Sequence, residues 1–194
     1  SLVERILAAR GYDSPEAAAS LFQLSLEDLP DPFLFRDMDR AVKIILSCLD
    51  KANPRILIFG DYDADGVTAT AMVYSYLEAN GGNVMYYIPN RETEGYGLNR
   101  QAVESLSEQG VKLIVTVDNG ISAAEEIDYA NSLGIDTVVT DHHRPRSGLP
   151  KAAAVVDAWR EDNQCPFRDY SGAGVAFKLL EALEGPEAGE GALL

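Results

Sequence analysis

Asp61-Tyr62-Asp63-Ala64-Asp65-Gly66 sets three aspartates at alternate positions, directly after the apolar run Ile56-Leu57-Ile58-Phe59 and Gly60. Carboxylates this close repel one another unless a proton or a cation neutralises them. The order strand, carboxylate cluster, helix is how an open α/β sheet presents a metal to a substrate. An EF-hand calcium loop also opens with D-x-D-x-D-G, but it needs a glutamate at its twelfth position and a helix in front. Counted from Asp61, the twelfth residue is Met72, and the residues before the cluster read as a strand. The calcium loop is excluded.

Other polar clusters follow other apolar runs. Asn90 and Arg91 come after Ile88-Pro89, Asp118-Asn119-Gly120 after Leu113-Ile114-Val115-Thr116-Val117, and Asp141-His142-His143 after Val138-Val139-Thr140. In a parallel sheet all of them fall at the carboxyl ends of strands, the crevice where ligands bind. Carboxylates and imidazoles without cysteine suit Mn²⁺, Mg²⁺ or Fe²⁺, with zinc possible. Shared carboxylates suggest two ions roughly 3.5–4 Å apart, as in enzymes that hydrolyse phosphate esters. One ion acidifies a water there, and the pair stabilises the attacking and leaving oxygens.

Each cluster also has a plain structural reading. Asp118 before Asn119-Gly120 could cap a turn or helix. Arg91 could contact a substrate phosphate, or could pair with Glu92 or Glu94. Both histidines of the chain sit together at this edge, which favours a functional role. Ser171-Gly172-Ala173-Gly174 opens a helix whose backbone N–H groups could receive a substrate phosphate. Equally, its glycines could only allow close helix–sheet packing.

These groups need a scaffold, and the hydrophobic patterning supplies one. Strands are expected at 55–60, 83–88, 112–117, 136–140 and 153–156, and helices at 66–79, 99–109, 122–133 and 172–183. Such alternation implies an α/β fold, a mostly parallel sheet with helices on both faces. A small helical N-terminal region, 1–53, is expected to precede this domain at 54–185, with a flexible tail at 186–194. Within the first region Ser14-Pro15-Glu16 reads as a helix start, and Met38, Ala41, Val42, Ile45, Leu46 and Leu49 recur at helical spacing to about Lys51.

Lys and Arg number 16 against 31 Asp and Glu, a net charge of −15, which excludes a broad basic surface for nucleic acid. A polyanion would have to be held locally, by metal ions and a few placed cations. No apolar run approaches the roughly 20 residues of a membrane span. Cys48 and Cys165 are isolated, which fits a reducing cytoplasm.

The aspartate triplet, Asp118-Asn119-Gly120 and Asp141-His142-His143 together resemble the DHH phosphoesterase superfamily. Further segments are similar to its bacterial single-strand-specific exonucleases: Pro89-Asn90-Arg91, Glu94-Gly95-Tyr96-Gly97-Leu98, Cys165-Pro166-Phe167, Ser171-Gly172-Ala173-Gly174-Val175-Ala176 and the lead-in Leu26-Glu27-Asp28-Leu29-Pro30-Asp31-Pro32-Phe33. The resemblance runs to about Leu183. It implies a cytoplasmic 5′→3′ exonuclease on single-stranded DNA, dependent on Mn²⁺ or Mg²⁺ and acting in recombination and repair. Two ions in the longer enzyme, no membrane, and single-strand-binding protein and helicase partners follow from the same resemblance. Carried over by position, Asp63, Asp65, Asp118 and His142 would be metal ligands. His143 and Arg91 would contact phosphate, Asp61 and Asp141 would orient ligands, and Ser171 and Gly172 would offer a further phosphate contact.

Two departures stand out. Asp157-Ala158 occupies a place where the family commonly has Asn-Pro. A further aspartate downstream of the Ser-Gly-Ala-Gly helix, a second domain and an oligonucleotide-binding fold lie outside this sequence. An N-terminal piece of a longer enzyme is therefore expected, with weak or single-ion metal binding and little activity by itself. The alternatives are a DHH phosphodiesterase for short oligonucleotides or cyclic dinucleotides, a pyrophosphatase, and a non-catalytic DHH scaffold in a replication assembly.

Overall fold

Successive residues of a strand turn to opposite faces. In the computed structural model of the chain, which describes residues 1–23, 25, 28–50, 54–95, 97–146 and 148–185, this alternation divides the core in two. Ile56, Ile58, Leu113, Val115, Val117, Val138 and Val156 pack on one side of the sheet. Leu57, Phe59, Ile114, Val139 and Val155 pack on the other. A sheet apolar on both faces must be covered by helices on both.

The strands β1 (Arg55–Phe59), β2 (Val84–Tyr87), β3 (Val111–Val117), β4 (Asp136–Asp141) and β5 (Ala154–Asp157) pair in the order β2-β1-β3-β4-β5. Every pairing is parallel. On the first face lie α3 (Met38–Asp50), α4 (Ala64–Ala79) and α7 (Gly172–Glu184), through Met38, Ala41 and Ile45, Ala69, Val73 and Leu77, and Val175, Leu179 and Ala182. On the second lie α5 (Arg100–Glu108) and α6 (Ala124–Ser132), through Val103, Leu106, Ile127 and Ala130. The expected fold class is the one observed, and each strand lies within two residues of its expected span.

From β1 the chain steps outward through α4 to β2, then returns through α5 to β3 on the other side of β1. The direction reverses between β1 and β3, so this is the topological switch point, where open α/β sheets bind ligands. Asn119 fastens it: its Nδ2 donates to the Phe59 carbonyl at 3.1 Å and the Val117 carbonyl at 2.9 Å.

Packing separates Ser1–Asp31 from Pro32–Leu194. The fully buried Met38, Ala41 and Ile45 make α3 part of the sheet's core, whereas the sequence grouped it with the N-terminal helices. Within Ser1–Asp31, α1 (Leu2–Ala9) begins with a capping box of Ser1 and Glu4, and α2 (Pro15–Ser20) is capped by Ser14 with Pro15 in its first turn. Lys51, Tyr96, the Leu26-Glu27 part of the lead-in and the tail at 186–194 lie outside the described residues.

After β5 the chain is held by Arg160, 6% exposed, which donates to Asp37 Oδ2 at 2.7 Å and bidentately to Asp162 at 2.9 and 2.8 Å. This clasp fixes Trp159, which follows the last strand.

Candidate metal centre

Just beyond β1, Asp61 is buried and 2% exposed. Asp63 caps α4, its Oδ1 accepting from the backbone N–H groups of Asp65 and Gly66, both at 2.9 Å. That turn draws Gly66 against Asp61, where an added Cβ would lie 2.6 Å from the Asp61 Cβ and 2.8 Å from its backbone nitrogen. Gly66→Ala is therefore expected to destabilise the protein by about 1–3 kcal/mol, the usual cost of overpacking. An unchanged denaturation midpoint would show that the turn relaxes at no cost.

Asp118, beyond β3, is 2% exposed and has φ 63°, a left-handed conformation unusual for a residue with a Cβ. Its carboxylate faces His142, with Oδ1 3.0 Å from Nε2. The other ring nitrogen, Nδ1, lies 2.8 Å from the Tyr170 carbonyl. A carbonyl only accepts, so Nδ1 carries the proton in the neutral ring and Nε2 turns a lone pair toward Asp118. Two lone pairs at 3.0 Å require a proton or a cation between them.

Asp141 supports this arrangement from beneath. Its Oδ2 accepts from Ile121 N at 2.9 Å, and its Oδ1 from His142 N at 2.7 Å, His143 N at 3.1 Å and His143 Nδ1 at 2.7 Å. The last bond holds the His143 pKa above its ordinary value, and the ring stays 47% exposed. Asp141 thus holds the His143 ring and the backbone of both histidines, while the Tyr170 carbonyl holds the His142 ring.

Among the described residues, two groups have ligand atoms all within 4.8 Å of one another: Asp118, His142 and His143, and Asp61, Asp63 and Asp118. Asp118 belongs to both, the position of a carboxylate that bridges two cations. Burial, then Asp65 and Asp63, pushes the Asp118 pKa up to about 7. Burial raises Asp61 as well, and among the described residues its Oδ1 has no hydrogen-bond partner. A buried carboxylate oxygen such as Asp61 Oδ1 fits a hard divalent cation, and the oxygen-and-imidazole set excludes a thiolate zinc site.

The remaining expected site residues are placed differently. Asp65 spends both oxygens on the start of α7, accepting from Gly172 N at 2.6 Å and Ala173 N at 2.7 Å, and its Oδ2 is 3.8 Å from His142 Nε2. The anion at that helix N-terminus is therefore the protein's own, which corrects the expectation of a substrate phosphate at Ser171 and Gly172. Ser171 Oγ is engaged too, accepting from Gly174 N at 3.0 Å. Arg91 is exposed at the rim, its guanidinium 5.3 Å from the centre of the Tyr62 ring. Glu94 meets Tyr87 and the Asn90 N–H instead of Arg91.

Asp157 lies outside the expected site residues. It ends β5 in register with Asp141 and is fully buried. Its Oδ1 accepts from Trp159 N at 2.7 Å, and among the described residues its Oδ2 has no partner. Burial pushes its pKa up to about 7. The strand-end rule that selected the other clusters would have found it, had it been applied to the fifth strand.

Residues 55–192 match the family described as "DHH family, N-terminal domain". The single-stranded-DNA-specific exonuclease RecJ of Bacillus subtilis is 42% identical over 184 residues, 95% of this chain and 23% of that protein. RecJ of Escherichia coli is 38% identical over 183 residues, 94% of this chain and 31% of that protein. The crystal structure of exonuclease RecJ bound to manganese superposes with a TM-score of 0.72 at 36% identity, over 83% of this chain and 39% of that one. RecJ of Thermus thermophilus in complex with Mn²⁺ gives 0.65 at 34%, over 77% and 21%. The chain spans about a quarter to a third of the curated relatives it matches. Since the family match covers well over half of its length, the chain belongs to the DHH family, of which it carries the N-terminal domain.

Proposed function

We propose that this chain is the metal-binding part of a 5′→3′ exonuclease for single-stranded DNA that serves recombination and repair in the cytoplasm. The observation that carries this reading is Asp118, shared by two ligand triads at the switch point of the sheet. The relatives' specificity for single strands and the manganese in their structures support it. Among the described residues no helix is long and apolar enough to cross a membrane. Single-strand-binding protein and helicase partners of the longer protein belong to the same proposal.

Asp61, Asp63 and Asp118 would hold one ion, and Asp118 and His142 the other, with His143 beside it. Asp65 joins through His142 and α7. Mn²⁺ or Mg²⁺ there would supply Lewis-acid chemistry, polarising a phosphoryl oxygen and lowering the pKa of a bound water. The protein's own groups do the rest. Tyr170 and Asp141 fix the two imidazole rings, which keeps His142 Nε2 aimed inward. His143, exposed and held by Asp141, can give a hydrogen bond or a proton to a phosphate oxygen. Arg91 stands at the rim, where a strand enters.

Mn²⁺ titrated into the metal-free chain is expected to bind saturably, and Asp118→Asn is expected to remove that binding. In the longer protein, His142→Ala should abolish Mn²⁺-dependent release of nucleotides from single strands. Intact cleavage by either variant would refute the assignment. Preference for dinucleotides over long strands would shift it to the short-oligonucleotide phosphodiesterases.

A further inference from the structure

A cavity of about 460 Å³ opens beside His143, between the start of α6 and the segment that follows β4. Ser122, Ala123 and Glu126 line one wall, and His143, Arg144 and Arg146 the other. We propose that this cavity is a nucleotide subsite, which seats the nucleotide next to the scissile phosphodiester and holds its phosphate with Arg144 and Arg146. The inference rests on the phosphodiesterase reading of the metal centre and extends it to substrate placement.

Three features carry it. The volume lies within the range of small-ligand pockets, about 300–1,000 Å³, and the cavity shares His143 with the centre, so a molecule in it reaches the reacting phosphate. The cations come next. In a chain of net charge −15, among the described residues neither Arg144 nor Arg146 lies within ion-pairing distance of a carboxylate. Unspent guanidiniums are what a phosphate diester needs, since they bind its oxygens bidentately.

Arg144 is also pre-positioned. Its guanidinium lies 3.8 Å from the centre of the Trp159 ring, and the clasp of Arg160 with Asp37 and Asp162 holds the segment that carries Trp159. A stacked guanidinium loses less freedom on binding than one loose in solvent. On the facing wall, α6 begins at Ala124 with no side-chain cap among the described residues, so its first N–H groups remain open to an acceptor. Glu126 on the same lining disfavours a triphosphate and suits a singly charged diester.

Trp159 is the single tryptophan of the chain, so its fluorescence reports on Arg144 directly. Titrating the thymidine dinucleotide dTpdT into the metal-free chain is expected to change that emission saturably, whereas inorganic phosphate should bind more weakly. Arg146→Gln should weaken dinucleotide binding about tenfold, the worth of one charge-assisted contact. Arg144→Gln should do the same, read by calorimetry because it removes the stacking partner. Binding unchanged in the double variant, or no binding of dTpdT at all, overturns the subsite. Cleavage separates the two readings. If Mn²⁺-dependent hydrolysis by the longer protein keeps its KM in the double variant, the subsite is wrong and the nuclease stands. If dTpdT binds through the arginines but nothing is cleaved, the subsite stands and the nuclease reading fails.

Discussion

Gly172→Ala should weaken metal binding, and any metal-dependent hydrolysis, by about 100-fold, the order of loss that a misplacement of about 1 Å produces. No polar atom is removed. An added Cβ would lie 2.3 Å from Asp118 Oδ1, 2.5 Å from its Cγ and 2.6 Å from its Cβ. Asp118 is buried in a left-handed conformation and has little room to yield. If α7 retreats instead, Asp65 loses the N–H groups of Gly172 and Ala173, and His142 loses the Tyr170 carbonyl.

Helix propensity alone would make the alanine favourable by up to about 1 kcal/mol. Overpacking costs about 1–3 kcal/mol, so the clash wins and the midpoint of denaturation should fall. Gly174→Ala is the control, since its Cβ would come only within 3.3 Å of the Tyr170 ring. Manganese titration and thermal denaturation of both variants decide the matter. A Gly172→Ala protein that binds and melts like the parent would show that the close approach is not needed.

Asp157→Asn is expected to stabilise the protein by about 2–4 kcal/mol at pH 8 and to leave it unchanged near pH 4. Burial lifts the folded-state pKa of Asp157 from 3.8 to about 7, with Asp141 adding to the shift. A carboxyl whose pKa rises on folding binds its proton more tightly in the folded state. The stability due to that proton is complete below the unfolded pKa and is lost as pH climbs through about 4 to 7. Each unit is worth about 1.4 kcal/mol, which sets the upper end of the range, and relaxation around the ionised group sets the lower end. Asparagine keeps the acceptor for Trp159 N and stays neutral at every pH. Asp118 has a shift of the same sign, so some pH dependence should survive. Urea denaturation of the metal-free proteins at pH 4, 6 and 8 is the measurement. Equal stability at pH 8 would mean that Asp157 is already neutral there or already paired.

The fold and the convergence of the site were legible because both follow from one-dimensional patterns. Alternating apolar positions specify a sheet buried on both faces, and a polar cluster after each strand falls on one edge of a parallel sheet. Asp61, Asp63, Asp118, His142 and His143 meet for that reason. What stayed hidden depends on contacts distant in the chain. Nothing near Asp65 in sequence shows that its oxygens are taken by the start of α7, where Gly172 lies 107 positions further on. Period and propensity likewise made α3 an amphipathic helix without saying which body it would join; its apolar stripe found the sheet through α7 and β5.

The bond between Asp65 and the start of α7 also has a temporal meaning. Its partners are 107 residues apart, so it cannot form until nearly the whole domain has left the ribosome. Until then the triplet has no helix to steady it, and the Tyr170 carbonyl that orients His142 is missing as well. Closing so long a loop is the slow, entropically costly part of assembling such a centre. A half-made chain is thereby kept from assembling the centre.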